Sequence, residues 1–416
     1  MEHMEYDILI VGGGAAGLTA AVCAGRFAES FCPAPPLRIA VVEKKDVTGK
    51  KLSATGNGRC NLSNAACTDR AEVDGFFRAV GLVTRTDDAG RMYPYGEEAA
   101  EVTALLTKTA RDFHTEFFMN CQVTQICPVP KRKPEQDCSV PGGFVVEINR
   151  KDPGRGDSGF MTLRCRRLLL AAGGKSCSVF GTTGDGYVLA RQLGHRVTSL
   201  APSLVPVQVD ADLRDLAGVR TKASVQLLHQ GRRVAAENGE VQFQKDCISG
   251  ICIMNLSRLL VLNREKTMPE AFREYEIVLD LMPEYSMEEV RRMISGKNGS
   301  LQTLVKRKLA GWILKQYEMQ GRCSAEGKDL AFLLKHLTFS VTGTKGWNDA
   351  QVTRGGVAMD EVDPDTMESK RIPGLYFSGE ILDYDGPCGG FNLHFAWKSG
   401  IRAGKAMADA IRKERE

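Results

Sequence analysis

The most specific motif in this 416-residue chain is Val11-Gly12-Gly13-Gly14-Ala15-Ala16-Gly17. It follows an apolar run at residues 6–11, which predicts a short buried strand, and it opens an Ala- and Leu-rich segment at 15–28, which predicts a helix. A second apolar run at 38–43 predicts the next strand. A strand, a glycine turn, a helix and a second strand form a β-α-β unit, which predicts a doubly wound parallel sheet.

Each glycine of this fingerprint has its own predicted role. Gly12 permits the tight turn, Gly14 lets the backbone approach a pyrophosphate, and Gly17 lets the helix pack against the strand. The N–H groups of the helix that starts at Ala15-Ala16 carry partial positive charge, which favours phosphate binding. Glu43 ends the second strand at the expected interval and would accept hydrogen bonds from ribose hydroxyls. The sequence therefore predicts a dinucleotide site.

A second glycine-bearing segment favours FAD over NAD, which the fingerprint alone does not separate. Residues 44–66 are predicted as a loop, and it contains Lys51-Leu-Ser-Ala-Thr-Gly-Asn-Gly-Arg-Cys-Asn-Leu-Ser63. Its glycines and amides suit close wrapping of another cofactor segment, although an ordinary surface loop is the alternative. We expect Arg59 and Cys60 to shape the cofactor site rather than to transfer protons. The candidate contacts here are Lys51, Ser53, Asn57, Gly58, Arg59 and Cys60.

A third signal lies near the C-terminus. Residues 374–380 predict a buried strand that ends in a turn, similar to the late FAD motif that contacts the ribityl-phosphate region. Residues 389–393 then open the last predicted helix, 392–412. A helix N-terminus directed at the isoalloxazine pyrimidine edge would stabilise the negative charge of reduced flavin. The candidate contacts here are Gly379, Glu380, Asp383, Gly390, Phe391, Asn392 and Leu393.

The composition is that of an ordinary globular protein with a small net charge of +4. Basic clusters at 131–133, 164–167 and 306–308 are predicted as solvated faces, with a nucleic-acid track as the alternative. The 13 cysteines are odd in number and include no Cys-x-x-Cys pair, which favours reduced thiols. No signal peptide, membrane span or metal constellation is recognisable, so we expect a cytoplasmic protein without membrane or metal partners.

Six motifs run through the chain: the glycine fingerprint, Gly56-Asn-Gly-Arg-Cys-Asn-Leu62, Ala171-Ala-Gly-Gly174, Thr353-Arg-Gly-Gly-Val357, Gly379-Glu-Ile-Leu-Asp383 and Gly389-Gly-Phe-Asn-Leu393. In these motifs the sequence resembles the HI0933-like, or BaiN-like, family of NAD(P)H- and FAD-dependent oxidoreductases. The resemblance implies a Rossmann-like FAD-binding domain interrupted by an inserted β-barrel-plus-helical domain. The implied segments are 1–194 and 344–416 for the FAD-binding domain and 195–343 for the inserted domain.

The resemblance also implies which residues contact FAD. It points to Glu43, Lys44, Asn57, Gly58, Val123, Gly379 and Asn392. Ala172 and Gly173, in the motif Ala171-Ala-Gly-Gly174 that carries the resemblance, are further candidate contacts.

The resemblance implies reduction of an activated carbon–carbon double bond. Two substrate classes follow from it, an oxo-bile acid or steroid enone and uridine of ribosomal RNA, which would become dihydrouridine. Because only one glycine fingerprint is present, we expect NAD(P)H to visit the flavin transiently as electron donor. A protein acid must protonate the neighbouring carbon.

The candidate catalytic residues are Cys388, Arg354 and Tyr384, although a structural role is the alternative for each. His394 lies inside the last predicted helix, where a lone histidine is more typical of a packed residue. A non-enzymatic flavin-binding redox sensor is the alternative function. The sequence leaves open the substrate, NADH against NADPH, the proton donor and the oligomeric state.

Overall fold

A computed structural model describes residues 4–31, 35–129, 142–151, 158–260, 268–295, 300–321 and 330–416. The strands are β1 (Met4–Val11), β2 (Ile39–Val42), β3 (Ser63–Asn64), β4 (Thr84–Thr86), β5 (Arg91–Pro94), β6 (Glu116–Phe118), β7 (Cys121–Val129), β8 (Gly143–Lys151), β9 (Ser158–Leu170), β10 (Ala201–Ser203), β11 (Val207–Val209), β12 (Arg220–His229), β13 (Arg232–Phe243), β14 (Cys247–Ser249), β15 (Tyr275–Asp280), β16 (Leu337–Thr344), β17 (Val352–Arg354) and β18 (Leu375–Phe377). The helices are α1 (Ala15–Phe31), α2 (Lys50–Ala54), α3 (Arg70–Ala79), α4 (Ala99–Asp112), α5 (Asp185–Gln192), α6 (Ile251–Ser257), α7 (Met268–Phe272), α8 (Met287–Ser295), α9 (Leu301–Leu304), α10 (Arg307–Gly321), α11 (Leu330–Lys335) and α12 (Phe391–Arg415). Among these helices none is both long and apolar enough to cross a membrane.

The chain divides into two units. The first, called the sheet unit below, comprises Met1–Ala201 and Val352–Glu416, and the second, called the barrel unit, comprises Pro202–Gln351. Each unit has its own cluster of buried apolar residues. The mixed α/β architecture, with a Rossmann-type domain and a closed barrel, confirms the predicted fold class.

The main sheet of the sheet unit has the strand order β6-β2-β1-β9-β8-β7, and β18 also pairs with β9. The pairs β6–β2, β2–β1, β1–β9 and β9–β18 are parallel. The strand pattern of residues 117–172 predicts an antiparallel meander, which β7, β8 and β9 form. The central strand β1 is buried from residue 6 onward, as expected for a parallel strand covered on both faces. The β1-α1-β2 unit read from the sequence is therefore confirmed.

Helix α12 packs along α1 through small residues. A Cβ placed on Gly400 would lie 2.6 Å from the backbone oxygen of Ala16, and one on Gly404 would lie 3.0 Å from Ala20 Cα. These contacts allow the two helix backbones to approach closely, so the C-terminal helix covers the helix that follows the glycine fingerprint.

The barrel unit contains a closed six-stranded barrel in the order β11-β14-β13-β12-β15-β16. Its interior is filled by alternating apolar residues, among them Val225, Leu227 and Phe339. The sequence predicts a hairpin around residues 229–232, and it is present, with His229 paired to Arg232. The helical part of this unit includes α8 and α10.

Three predictions about secondary structure differ from the structure. Residues 44–66 are not all loop, because α2 forms there; at five residues it is too short to show a hydrophobic period. Residues 30–36 carry three prolines and are predicted as a surface connection, but helix α1 continues to Phe31. Residues 32–34 lie outside the described residues. The helical period of residues 301–319 predicts one helix, but Val305, whose backbone is extended at φ −135°, divides it into α9 and α10.

Candidate functional site

The parallel strands of the sheet unit end in one row. Val11 is level with Val42 of β2 and with Leu170 of β9, and Leu170 is level with Phe377 of β18. The segments that follow these four residues are the glycine fingerprint, Glu43-Lys44, residues 171–174 and residues 378–380. Three of the six sequence motifs, together with Glu43-Lys44, therefore start at the same carboxyl edge of the sheet, where open α/β sheets bind ligands.

The glycines of the fingerprint form a cradle with space on one side. A Cβ on Gly12 would overlap the backbone oxygen of Ala171, and one on Gly17 would overlap the backbone oxygen of Gly12. A Cβ on Gly14 would meet no atom within 4 Å. Gly12 and Gly17 are therefore required by packing, whereas Gly14 faces open space that a pyrophosphate could fill.

The carboxylate of Glu43 is held beside this turn. Its Oε2 accepts a hydrogen bond from Gly13 N at 2.8 Å, and its Oε1 accepts one from Lys45 N at 2.9 Å. Burial raises the pKa of Glu43, and the backbone donors oppose that shift. Each carboxylate oxygen keeps further acceptor capacity, so the position suits the ribose hydroxyls of a dinucleotide.

Lys44 takes part in a separate polar group next to Glu43. Its Nζ lies 2.6 Å from Asp185 Oδ2 and donates to Thr183 Oγ1 at 2.7 Å. Burial alone would raise the pKa of Asp185, but the hydrogen bonds from Lys44 and Thr183 outweigh it and the pKa is lowered. Strand β7 starts here, because Cys121 N donates to Glu43 O at 2.9 Å, which brings Val123 near this end of the site.

The loop after α2 has an unusual backbone. Gly56, Asn57 and Gly58 adopt φ values of 58°, 56° and 84°, and Cys60 follows at 59°. For Asn57 and Cys60 this left-handed conformation is costly, and such strain concentrates at functional sites. The Cys60 side chain is buried, and burial raises its pKa to about 12, so the thiol stays neutral. Arg59 lies over the Tyr93 ring, 5.0 Å from its centroid.

A buried polar junction joins α2 to the later motifs. Lys51 Nζ lies 2.7 Å from both Ser176 Oγ and Glu380 Oε2. Glu380 Oε1 accepts hydrogen bonds from Ser176 Oγ at 3.1 Å and Thr353 N at 2.9 Å. Ser176 and Thr353, both fully buried, were not among the sequence candidates. Thr353 could have been found from the sequence, because it opens one of the six motifs. Ser176 lies just outside a motif, so no sequence pattern indicated it.

His394 is a packed residue of the sheet unit. Its Nε2 lies 2.9 Å from the carbonyl oxygen of Thr68, which can only accept, so this nitrogen carries the proton. Nδ1 then accepts from the Ser63 hydroxyl at 2.8 Å. Burial lowers the pKa of His394. The ring is neutral and fully engaged, so it is not the proton donor.

A family model for the HI0933-like protein Rossmann domain matches residues 69–406. The chain belongs to the HI0933-like family. Among its curated relatives, the 3-dehydro-bile acid delta(4,6)-reductase of Clostridium scindens is 32% identical, over 96% of this chain and 98% of that one. The ribosomal RNA dihydrouridine synthase of Escherichia coli is 25% identical, over 95% of this chain and 96% of that one.

Among solved structures, a 3-ketosteroid delta1-dehydrogenase from Sterolibacterium denitrificans has a TM-score of 0.51 and 13% identity, over 98% of this chain and 100% of that one. This similarity shows a shared fold. As an HI0933-like protein with a Rossmann-type FAD-binding domain, the chain is an oxidoreductase, and the open cradle at Gly14 fits its cofactor.

The remaining candidates of this HI0933-like chain all lie in the sheet unit. Ala172 and Gly173 follow β9 directly, and Gly173 has a φ of 72°. Tyr384 stacks on Phe395 of α12 with ring centroids 4.1 Å apart. Arg354 ends β17 next to Thr353. The other candidates lie on α1 (Ala15, Ala16), on α2 (Ser53), just after β18 (Gly379, Asp383) and at the start of α12 (Gly390, Phe391, Asn392, Leu393).

Proposed function

We propose that this protein is an FAD-dependent reductase of a carbon–carbon double bond conjugated to a carbonyl group, in a small hydrophobic molecule of the steroid-enone type. The observation that carries the proposal is the 32% identity to a bile-acid reductase, which extends over nearly the whole of both chains. The identity to the ribosomal RNA synthases is lower, at 25%. NAD(P)H is the proposed electron donor.

Residues of the sheet unit would hold FAD at the carboxyl edge. The open side of Gly14 and the N-terminus of α1 suit the pyrophosphate, and Glu43 suits the adenosine ribose. The N-terminus of α12 suits the electron-rich end of the ring system. When bound, FAD supplies the two-electron chemistry between donor and substrate.

Reduction of the double bond also requires a proton, which a side chain of this protein must supply to one of the two carbons. Cys388, Tyr384 and Arg354 are the candidates, and Cys388 is preferred because it lies half-buried in the turn that leads into α12. We expect Cys388→Ala to leave reduction of bound FAD by NAD(P)H intact and to slow substrate reduction by about 100-fold or more. Single-turnover absorbance changes measure the two steps separately. Unchanged substrate reduction would remove Cys388 as the acid.

The proposed function is tested with purified, FAD-containing protein reduced anaerobically by NADPH or NADH. The reduced protein is mixed with a panel of steroid enones and, separately, with ribosomal RNA that lacks dihydrouridine. We expect reoxidation by an enone, with the saturated ketone as product. Failure of every enone to reoxidise the protein would overturn the proposal.

A second candidate, reduction of uridine in ribosomal RNA, is favoured by one feature of the barrel unit. Lys306, Arg307 and Lys308 are exposed at the start of α10, and none of the three is paired with a carboxylate within the described ranges. Such a group suits a phosphate backbone. The cluster at 131–133 lies outside the described residues, and Arg166 and Arg167 are engaged with Glu414. Reoxidation by RNA, with dihydrouridine formed, would establish this candidate.

A further inference from the structure

We propose that Asn64 is a positioning residue that fixes the turn at residues 386–390 and thereby the thiol of Cys388. The turn connects β18 to α12, and Asn64 ends β3, far away in sequence. The catalytic consequence rests on the proposed function, in which Cys388 donates the proton. The geometric part of the proposal does not.

The turn is anchored at both ends by asparagine side chains. At its start, Asn392 Oδ1 accepts from Gly386 N at 2.8 Å and Asn392 Nδ2 donates to Gly386 O at 2.9 Å. Near its end, Asn64 Nδ2 donates to Gly389 O at 2.9 Å. Cys388 lies between the two anchors, so its position depends on both.

Asn64 is itself held rigidly. It is 8% exposed, and its backbone pairs with Arg91 of β5. Its Oδ1 accepts a hydrogen bond from Ala66 N at 3.0 Å, which fixes the orientation of the amide. This orientation directs the amide nitrogen at Gly389 O, as a preorganised anchor requires.

Packing prevents the turn from moving in one direction. Gly389 and Gly390 have φ values of 112° and 105°, and a Cβ on Gly390 would overlap the backbone oxygen of Ser63. The turn thus already lies as close to β3 as a glycine allows. The hydrogen bond from Asn64 opposes movement of Gly389 away from β3.

The experiment compares Asn64→Ala and Asn64→Asp in the FAD-containing protein. Aspartate keeps the acceptor for Ala66 N but removes the donor to Gly389 O, so it isolates the contact with the turn. The first measurement is the rate at which iodoacetamide alkylates Cys388, followed by mass spectrometry of the peptide that contains it. The second is kcat and KM for enone reduction. Ser257→Ala, which removes the two side-chain hydrogen bonds of a buried residue in the barrel unit, is the control.

Both Asn64 variants should raise the alkylation rate of Cys388 by about tenfold, the effect of one lost hydrogen bond. They should lower kcat by a similar factor with little change in KM, and the Ser257 control should change neither quantity. Unchanged alkylation in Asn64→Asp, or an equal change in the control, would overturn the proposal. Faster alkylation with unchanged kcat would support the positioning of the turn and contradict the proposed role of Cys388 as the acid.

Discussion

The two units of this protein use β-structure in opposite ways. In the sheet unit, parallel strands end in one row at Val11, Val42, Leu170 and Phe377, and the chain leaves that row in glycine-rich turns. In the barrel unit, the six strands close on each other and their inner side chains fill the space. An open parallel edge exposes backbone donors and helix N-termini to a ligand, whereas a closed, filled barrel of this size leaves its interior to packing.

The difference explains where the informative motifs lie. All six motifs belong to the sheet unit, as expected for a cofactor that restricts residue type at every turn it contacts. In the barrel unit any apolar residue of suitable volume satisfies the core, so its sequence carries hydrophobic patterning and few fixed motifs. Separate cores also imply that each unit responds to its own substitutions, which the following predictions test.

The largest expected effect is loss of core packing in the barrel unit. Phe243 is fully buried and lies against Phe339, with ring centroids 6.4 Å apart. We expect Phe243→Ala to lower the free energy of unfolding of this unit by about 3–5 kcal/mol. Hydrogen exchange of β12 and β15 measures the loss. FAD binding should persist, and its disappearance would show that the two cores are not independent.

The next effect concerns the cofactor rather than the fold. Gly14→Val should leave the protein folded, since its Cβ would meet no atom within 4 Å, but it should place a side chain where the pyrophosphate belongs. We expect FAD affinity to fall by about 100-fold, the effect of a steric cost of about 3 kcal/mol. Titration of the apoprotein followed by flavin fluorescence measures it. Gly75→Val on α3, which also has open space around its Cβ, should bind FAD normally; a folded Gly14→Val protein with full affinity would contradict the site.

Acid should destabilise the sheet unit before the barrel unit. Burial lowers the pKa of His195 and of His394, both in the sheet unit. In the unfolded chain these histidines bind protons below a pH of about 6.5, whereas in the folded unit they stay unprotonated to a lower pH. Its stability therefore falls as pH drops below that value.

Hydrogen exchange of β1 and of β12 at pH 7.5 and 5.5 distinguishes the two units. We expect the free energy of exchange to fall for β1 and to change little for β12. In the double variant His195→Gln/His394→Gln the fall at β1 should be smaller. An equal fall in the free energy of exchange of β1 and β12 in the unmodified protein would contradict the assignment of the acid sensitivity to these two histidines.

The smallest predicted effect is a gain in the stability of the barrel unit. Gly311 lies within α10 with nothing near its Cβ position, so Gly311→Ala should stabilise this unit by about 0.5–1 kcal/mol. Gly218 also has open space, but its φ of 85° strains any other residue, so Gly218→Ala should destabilise. Urea unfolding of both variants checks the two signs. A change of stability with the same sign in both variants would show that backbone conformation does not determine the effect of these substitutions.

Local patterns predicted the sheet unit well where residue type and geometry are tightly coupled. The strand-turn-helix at β1 and α1 was readable because each glycine has one physical role, and the meander β7-β8-β9 because its strands alternate. Helix α2 was not readable, since five residues give no period. Its place depends on tertiary contacts such as the bond from Gly49 N to Gly13 O, at 2.8 Å.

The family, the fold class and the segments expected to surround FAD could be predicted from the sequence, because a turn with a fixed backbone requirement restricts the residue type, as at Gly12 and Gly17. Which side chains contact each other depends on the tertiary structure. Lys51 and Glu380 lie 2.7 Å apart although 329 positions separate them, and Asn64 bonds to Gly389 across 325 positions. Such contacts depend on how the strands and helices assemble. No local period or spacing in the sequence encodes these contacts, so only the assembled structure shows them.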